Sequence, residues 1–276
     1  MKNILFFGYG YVVDRFCKTS QVKFDNKYVI SRSEVNHTSI KWQNINKFSN
    51  CEKITHLLIS IPPCADEKKI SNQLRGLDLS NLEWCGYLSA TSVYGDYKGD
   101  WVNENSALRS NTESGKERIS SEVLWKEILP EVNILRLAGI YGPKRSAVER
   151  VLNGGARRII KEGHFFSRIH VDDIVQAIDK LIFSLIHKQI FNLADDLPAS
   201  QHEVIDYVCK LIDCVQPETI LFNSGNISKK MLDFYSENKK VSNLKLKTKL
   251  DLDLKYPTYK QGLEAIWKEF YYDRKT

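Results

Sequence analysis

Short apolar runs alternate with amphipathic stretches along the first half of the chain, the pattern of a parallel sheet covered by helices. Asn3 to Gly8 (NILFFG) is an apolar run closed by glycine and predicts a buried strand. From Tyr11 to Ser20, apolar Val12, Val13 and Phe16 recur at helical spacing with Asp14, Arg15 and Lys18 turned outward, which predicts a helix. Further strands are expected at Lys27–Ile30, Ser39–Ile45, Thr55–Ile61 (stopped by Pro62-Pro63), Trp84–Ser92 and Val132–Ala138, with a helix over Thr112–Leu129 before Pro130. After Tyr141-Gly142-Pro143 the alternation ends. A short helix at Ala147–Leu152, a helix running to about Leu185, a strand-like Phe191–Leu193 and a closing helix at Gln261–Tyr271 follow. The reading is an α/β chain with a Rossmann-type doubly wound parallel sheet and a smaller C-terminal substrate lobe. Its expected boundaries are 1–140 for the Rossmann core and 141–276 for a mixed segment that returns partly to the core and forms that lobe.

The first strand, turn and helix carry Gly8-Tyr9-Gly10-Tyr11-Val12-Val13. A glycine at the first position makes the tight turn, and one at the second lets backbone amides approach a pyrophosphate at the helix N-terminus. Valine occupies the third position, where Gly or Ala is usual and governs close helix–strand packing. Gly8, Tyr9, Gly10, Tyr11 and Val12 are therefore cofactor candidates. At the end of the second strand an acidic residue suits the ribose of NAD, whereas arginine suits the extra phosphate of NADP. This chain has Ser31-Arg32-Ser33 there, with Glu34 one step later. Arg32 can bind a phosphate with two parallel hydrogen bonds, so NADP is the expected cofactor and NAD the alternative.

Other motifs extend the pattern. Tyr87-Leu88-Ser89-Ala90-Thr91-Ser92-Val93-Tyr94-Gly95 ends the fifth strand, and Leu135-Arg136-Leu137-Ala138-Gly139-Ile140-Tyr141-Gly142-Pro143 and Arg168-Ile169-His170-Val171-Asp172-Asp173 come later. With the glycine turn, and in this order over roughly residues 3 to 195, they resemble the extended short-chain dehydrogenase/reductase family, which includes NAD(P)-dependent epimerases and dehydratases. The remainder looks like a bacterial branch of that family with an atypical active site. The resemblance implies a chain segment lying against the cofactor ribose after strand four, here Ser60, Ile61 and Pro62. It also implies a hydroxyl at the end of strand five and a Tyr and Lys four apart on the next helix.

Here the chain departs from the family. Ser114 stands where tyrosine belongs and Arg118 where lysine belongs, and the strand-five hydroxyl position is Ala90, flanked by Ser89 and Thr91. A serine hydroxyl is a far poorer acid or base than a phenol near neutrality, and arginine stays protonated. A Tyr-x-x-x-Lys spacing at Tyr94/Lys98 does not begin that helix. The expected reacting set is Thr91, Ser114, Arg118 and Tyr94, with Arg118 holding the nicotinamide ribose. Arg168, together with Arg157 or Arg158, is either a phosphate contact or part of a structural clasp, and Asp172 or Asp173 is expected to cap the helix that follows.

Composition adds limits. Apolar residues make up 42% and charged residues 27% of the 276-residue chain, and the net charge is +6, carried by scattered lysines without an arginine stripe. Nucleic acid is therefore not expected as a partner. Six cysteines show no C-x-x-C spacing, so neither a metal site nor a disulfide framework is expected. Lys2 precedes an apolar run as in a leader, but Gly8 and Gly10 interrupt it and Asp14-Arg15 follow at once. A cytoplasmic protein without a membrane span is expected, a monomer or homodimer acting on a small molecule. Two functions fit the sequence. One is an NAD(P)-binding oxidoreductase or epimerase/dehydratase-like enzyme for a sugar-like or anionic substrate. The other is a non-catalytic NADP-binding redox sensor or interaction protein with a degenerate active site.

Overall fold

The computed structural model describes residues 1–35, 37, 39–44, 53–63, 67, 71, 74, 76–184, 186–222 and 229–272. The expected ends at Ile45 and Leu185, and Cys51 and Cys64, lie outside the described residues. The chain folds as two compact units, each assembled from separated segments: Met1–Val93, Glu113–Arg136 and Ile174–Phe191 in the first, and Tyr94–Thr112, Leu137–Asp173 and Asn192–Thr276 in the second.

The strands, in chain order, are β1 (Asn3–Phe7), β2 (Asn26–Ser31), β3 (Lys41–Asn44), β4 (His56–Ile59), β5 (Trp84–Ala90), β6 (Trp101–Val102), β7 (Asn133–Leu137), β8 (Gly139–Tyr141), β9 (Arg158–Ile160), β10 (Arg168–His170), β11 (Ile190–Leu193), β12 (Thr219–Leu221) and β13 (Lys240–Val241). Seven form a parallel sheet in the order β11-β7-β5-β4-β1-β2-β3. The chain starts in the middle at β1, winds outward through β2 and β3, then returns to β4 on the other side of β1. The strand order thus reverses between β1 and β4, and in such sheets ligands bind outside the carboxyl ends of the strands at that crevice. β1 and β4 are buried at every position, as expected for parallel strands covered on both faces. In the first unit Leu5, Phe7, Ile59, Tyr87, Trp125 and Ile134 belong to one core cluster.

The helix α1 (Tyr11–Thr19) follows the glycine turn, with Val12, Val13 and Phe16 buried as their spacing predicts. The helix α2 (Glu113–Ile128) follows β5 in the same unit. Directly after β5, Thr91–Tyr94 winds as a single 3-10 turn, which shortens the expected strand.

The second unit has its own core, including Tyr141, Val148, Val204, Ile205, Leu263 and Trp267. Its helices at Ala147–Leu152, Gln201–Leu211 and Tyr259–Phe270 begin at Ser146/Glu149, Ser200/Glu203 and Thr258/Gln261 pairs that cap each other's backbone amides. It also contains strand pairs that hydrophobic spacing does not reveal: β8 with β10, β9 with β12 and β6 with β13. Each strand has only two or three residues, too few to display a period of two. No helix among the described residues is long and apolar enough to cross a membrane.

Candidate functional site

The loop after β1 and the loop after β4 meet at the sheet reversal. The Ser60 amide donates to the Phe7 carbonyl at 2.8 Å, the Ser60 hydroxyl to the Gly8 carbonyl at 3.0 Å, and the Gly8 amide to the Ile30 carbonyl of β2 at 2.8 Å. Gly8 has φ +101°, and a Cβ there would stand 2.9 Å from the Ile61 amide nitrogen and 2.9 Å from the Ser60 hydroxyl. Both the backbone angle and the close approach require glycine. Gly10 differs. It is the N-cap of α1 in an extended conformation, it makes no side-chain cap, and a Cβ built on it would meet nothing within 4 Å. The turn therefore leaves open space directly at the N-terminus of a helix, where orphan amides and the helix dipole favour an anion. The residues fit a dinucleotide pyrophosphate.

Strand order sets the candidates in a row. Read from β2 through β1 and β4 to β5, the carboxyl ends carry Ser31-Arg32, then Gly8-Tyr9-Gly10, then Ser60-Ile61-Pro62, then Thr91. Neighbouring strands lie about 4.8 Å apart, so these loops form one continuous edge. Arg32 is exposed on that edge. Ser31 is buried, and its hydroxyl is engaged on both sides: it donates to the Ser33 carbonyl at 2.6 Å and accepts from the Trp42 indole at 2.9 Å. The Ser31 hydroxyl is thus engaged within the loop that carries Arg32 and by the neighbouring strand. The Tyr9 hydroxyl donates to Asp14 at 3.0 Å, and Asp14 pairs with Lys18 at 2.7 Å. Burial, with the Asp14 carboxylate next, pushes the Tyr9 phenol well above its ordinary range, so Tyr9 stays protonated.

α2 presents one polar stripe to β5. Arg118 donates to the Tyr87 hydroxyl at 2.8 Å and to the Leu88 carbonyl at 3.2 Å. One turn on, the buried Glu122 carboxylate accepts from the Ser89 hydroxyl at 2.6 Å. Arg136 of β7 closes the network on the same carboxylate, through Nε at 2.9 Å and Nη2 at 2.8 Å. Residues four apart share a helix face, so Ser114, exposed in the first turn, heads the stripe that Arg118 and Glu122 continue. Ser89 is thereby withdrawn as the strand-five hydroxyl, and half-buried Thr91 is left in that place. Burial pushes the Tyr87 phenol up to about 12, against the lowering effect of Arg118.

Tyr94 is corrected. It is fully buried in the second unit, and its hydroxyl donates to the Asn192 side chain at 2.7 Å. Asn192 is itself held in place, its backbone N–H donating to Glu104 at 2.8 Å and its side-chain NH2 to the Ser242 carbonyl at 3.2 Å. The Tyr94 side chain is thus buried and committed to Asn192.

The arginines of the second unit resolve similarly. Arg168 donates to the carbonyls of Phe166 at 2.8 Å and Ala199 at 2.9 Å, both within its own unit. Arg158 is paired with Asp206 at 2.6 and 2.9 Å, and Arg157 is exposed. The expected cap by Asp172 or Asp173 is also corrected. The helix spans Val171–Phe183, which puts both residues inside its first turn. The Asp172 amide donates to His170 Nδ1 at 3.1 Å, while buried Asp173 accepts from the Lys255 amide at 2.6 Å and the Tyr256 amide at 3.2 Å. Burial raises the Asp173 carboxyl to about 6.

Sequence reasoning missed Glu122, Arg136 and Trp42 as supports of this edge. Arg136 had a signal: a charge inside the otherwise apolar VNILRLA run requires a buried partner. Trp42 had none, because only strand pairing brings it to Ser31.

No family model matches the chain. Over 136 residues it is 30% identical to Protein YeeZ of Escherichia coli (strain K12), a stretch covering 48% of this chain and 47% of that protein. The match thus spans about half the length of the curated relative. A functionally unknown conserved protein from Silicibacter pomeroyi DSS superposes with a TM-score of 0.84 at 31% identity, over 98% of this chain and 99% of that one. dTDP-glucose 4,6-dehydratase of Bacillus anthracis str. Ames, determined in complex with NAD, superposes with a TM-score of 0.71 at 14% identity, over 100% of this chain and 98% of that one.

Proposed function

Because the chain belongs to one family with the conserved Silicibacter pomeroyi protein and has the extended short-chain dehydrogenase/reductase fold, we propose that it binds a nicotinamide dinucleotide along the edge just described. The observation that carries this reading is Gly10, whose open space lies at a helix N-terminus beside the sheet reversal. Gly8 and Gly10 would let the pyrophosphate approach the backbone, with the amides of Tyr11 and Val12 at the helix start and Ser60, Ile61 and Pro62 along the ribose. Exposed Arg32 favours NADP over NAD, since its guanidinium matches a phosphate and no carboxylate occupies the β2 end itself.

The proposed activity is that of an epimerase/dehydratase-like oxidoreductase on a small sugar-like or anionic substrate. The nicotinamide would supply the hydride chemistry when bound. The chain's own part is positioning. Arg118, tethered by Tyr87 and Leu88, would direct its guanidinium at ribose hydroxyls, and Thr91 and Ser114 would hold substrate oxygens by hydrogen bonds. Neither hydroxyl exchanges a proton readily near neutrality. In this reading the substrate itself or water carries the proton.

A second reading, a non-catalytic NADP-binding sensor or interaction protein, is favoured by the same two positions. Ser114 and Arg118 dispense with the phenol and amine that proton transfer needs, while the positive charge that holds ribose is kept. Fluorescence titration with NADPH and NADH, followed by incubation of the NADPH-bound protein with sugar nucleotides and small carbonyl compounds, separates the two. Consumption of NADPH, or conversion of a sugar nucleotide when the oxidised nucleotide is bound instead, supports the enzyme, and tight binding with neither supports the sensor. Failure to bind either nucleotide overturns both.

A further inference from the structure

The helix Gln201–Leu211 of the second unit ends in a left-handed cap that brings two cysteines together. Its C-cap is Ile212, whose amide donates to the Val208 carbonyl at 2.9 Å. Asp213 follows with φ +51°, and the Cys214 amide then donates back to the Cys209 carbonyl at 3.0 Å. This is the six-to-one hydrogen bond of a Schellman motif, in which the residue after the left-handed position packs its side chain on the third residue from the helix end. Those two positions usually hold apolar residues. Here both are cysteine, so the cap sets the Cys209 and Cys214 side chains against one another. Cys209 is buried and Cys214 exposed, so the pair has one reachable sulfur and one sheltered sulfur.

Among the described residues, the other cysteines lack this arrangement. Cys85 is buried in β5, and Cys17 is half-buried on α1. Cys214 also lines a cavity of about 420 Å³ together with Leu152, Ile212, Trp267 and Tyr271. That cavity leaves room for a small molecule beside Cys214.

We propose that Cys209 and Cys214 form a reversible dithiol–disulfide site whose oxidant is a low-molecular-weight disulfide. The Cys214 thiolate attacks one sulfur of the small disulfide, forming a protein mixed disulfide and releasing one small thiolate. The Cys209 sulfur, losing its proton to solvent, then attacks the Cys214 sulfur and expels the second small thiolate. Two protein thiols are oxidised to one disulfide, and the small disulfide is reduced to two thiols. The exposed Cys214 reacts first and the buried Cys209, whose thiol burial pushes up, resolves the mixed disulfide. The oxidised pair locks the helix end that walls the cavity.

The test is peptide mapping of the full chain after incubation with oxidised glutathione and alkylation of the remaining thiols. The expected result is a Cys209–Cys214 link that dithiothreitol removes. In Cys209→Ser the glutathione adduct on Cys214 should accumulate on the order of tenfold above the unsubstituted chain, because no neighbouring thiol resolves it. Cys214→Ser should leave Cys209 unmodified. The proposal is overturned if the unsubstituted chain keeps Cys214 free, holds glutathione there as fully as Cys209→Ser does, or links either residue to Cys17, Cys51, Cys64 or Cys85 instead. The map of the unsubstituted chain decides the matter even where a variant misfolds.

Discussion

Glu122 and Arg136 form a two-point ion pair inside the first unit, each with a side chain only 2% exposed. It is the fixed point from which α2 hangs against the sheet. The same carboxylate holds Ser89 of β5, and Arg118, one turn earlier, holds Tyr87 and Leu88 of the same strand. A buried ion pair is poor evidence of net stabilisation, since removing two charges from water costs much of what their attraction returns. Breaking one is a different matter.

Arg136→Met leaves the Glu122 carboxylate buried without its cation and should destabilise the protein by about 3–5 kcal/mol. Glu122→Leu combined with Arg136→Met should recover most of that loss, because no uncompensated charge remains. Urea denaturation of the three proteins measures both. A double variant no more stable than Arg136→Met would show that packing and not charge dominates.

The two glycines of the turn should respond differently to alanine. Gly8→Ala forces a side chain into a left-handed backbone and against Ser60 and Ile61, with an expected cost of about 1–3 kcal/mol or more and loss of nucleotide binding. Gly10→Ala meets open space and should change stability by no more than about 0.5 kcal/mol, yet still weaken NADPH binding by occupying the room left for the anion. Thermal melts paired with NADPH fluorescence titrations separate the effects. Undiminished NADPH affinity in folded Gly10→Ala would contradict the proposed site.

Arg32→Ala should weaken NADPH binding about tenfold or more while leaving NADH nearly unchanged, as expected for loss of a charge-assisted phosphate contact. Equal losses for both nucleotides would remove the argument for NADP. Tyr94→Phe, by contrast, should leave both affinities intact and cost about 1 kcal/mol of stability through the lost bond to Asn192.

Asp195 predicts a pH dependence of stability. It is buried in the second unit, one carboxylate oxygen has no hydrogen-bond partner among the described residues, and burial raises its carboxyl to about 8. An unfolded chain ionises aspartate near pH ~3.9. Between these values the folded chain holds a proton that the unfolded chain has lost, so the contribution to stability is full below the unfolded value and is lost as pH rises through about 8. Asp195→Asn keeps an oxygen for the Leu197 amide and cannot ionise. Its stability advantage over the unsubstituted protein should therefore grow as pH rises from neutrality to about 8. Parallel stability–pH curves would contradict this.

Much of this protein was determined by its sequence alone. Continuous apolar runs specify strands buried on both faces, and the Gly8–Gly10 spacing between strand and helix specifies the turn, because both depend on residues adjacent in the chain. Arg32 at the end of β2 is legible for the same reason. What only the tertiary structure decided concerns partners distant in sequence. Tyr94 and Thr91 are three residues apart, yet the 3-10 turn leaves one half-buried after β5 and sends the other into a hydrogen bond with Asn192. Ser31 and Ser89 look like free hydroxyls in the chain, and strand pairing and helix docking commit them to Trp42 and Glu122. The cysteines at 209 and 214 show no recognisable spacing until a left-handed residue at Asp213 folds one back on the other. Local propensity reads along the chain, whereas burying a polar group demands a partner that only the packed structure supplies.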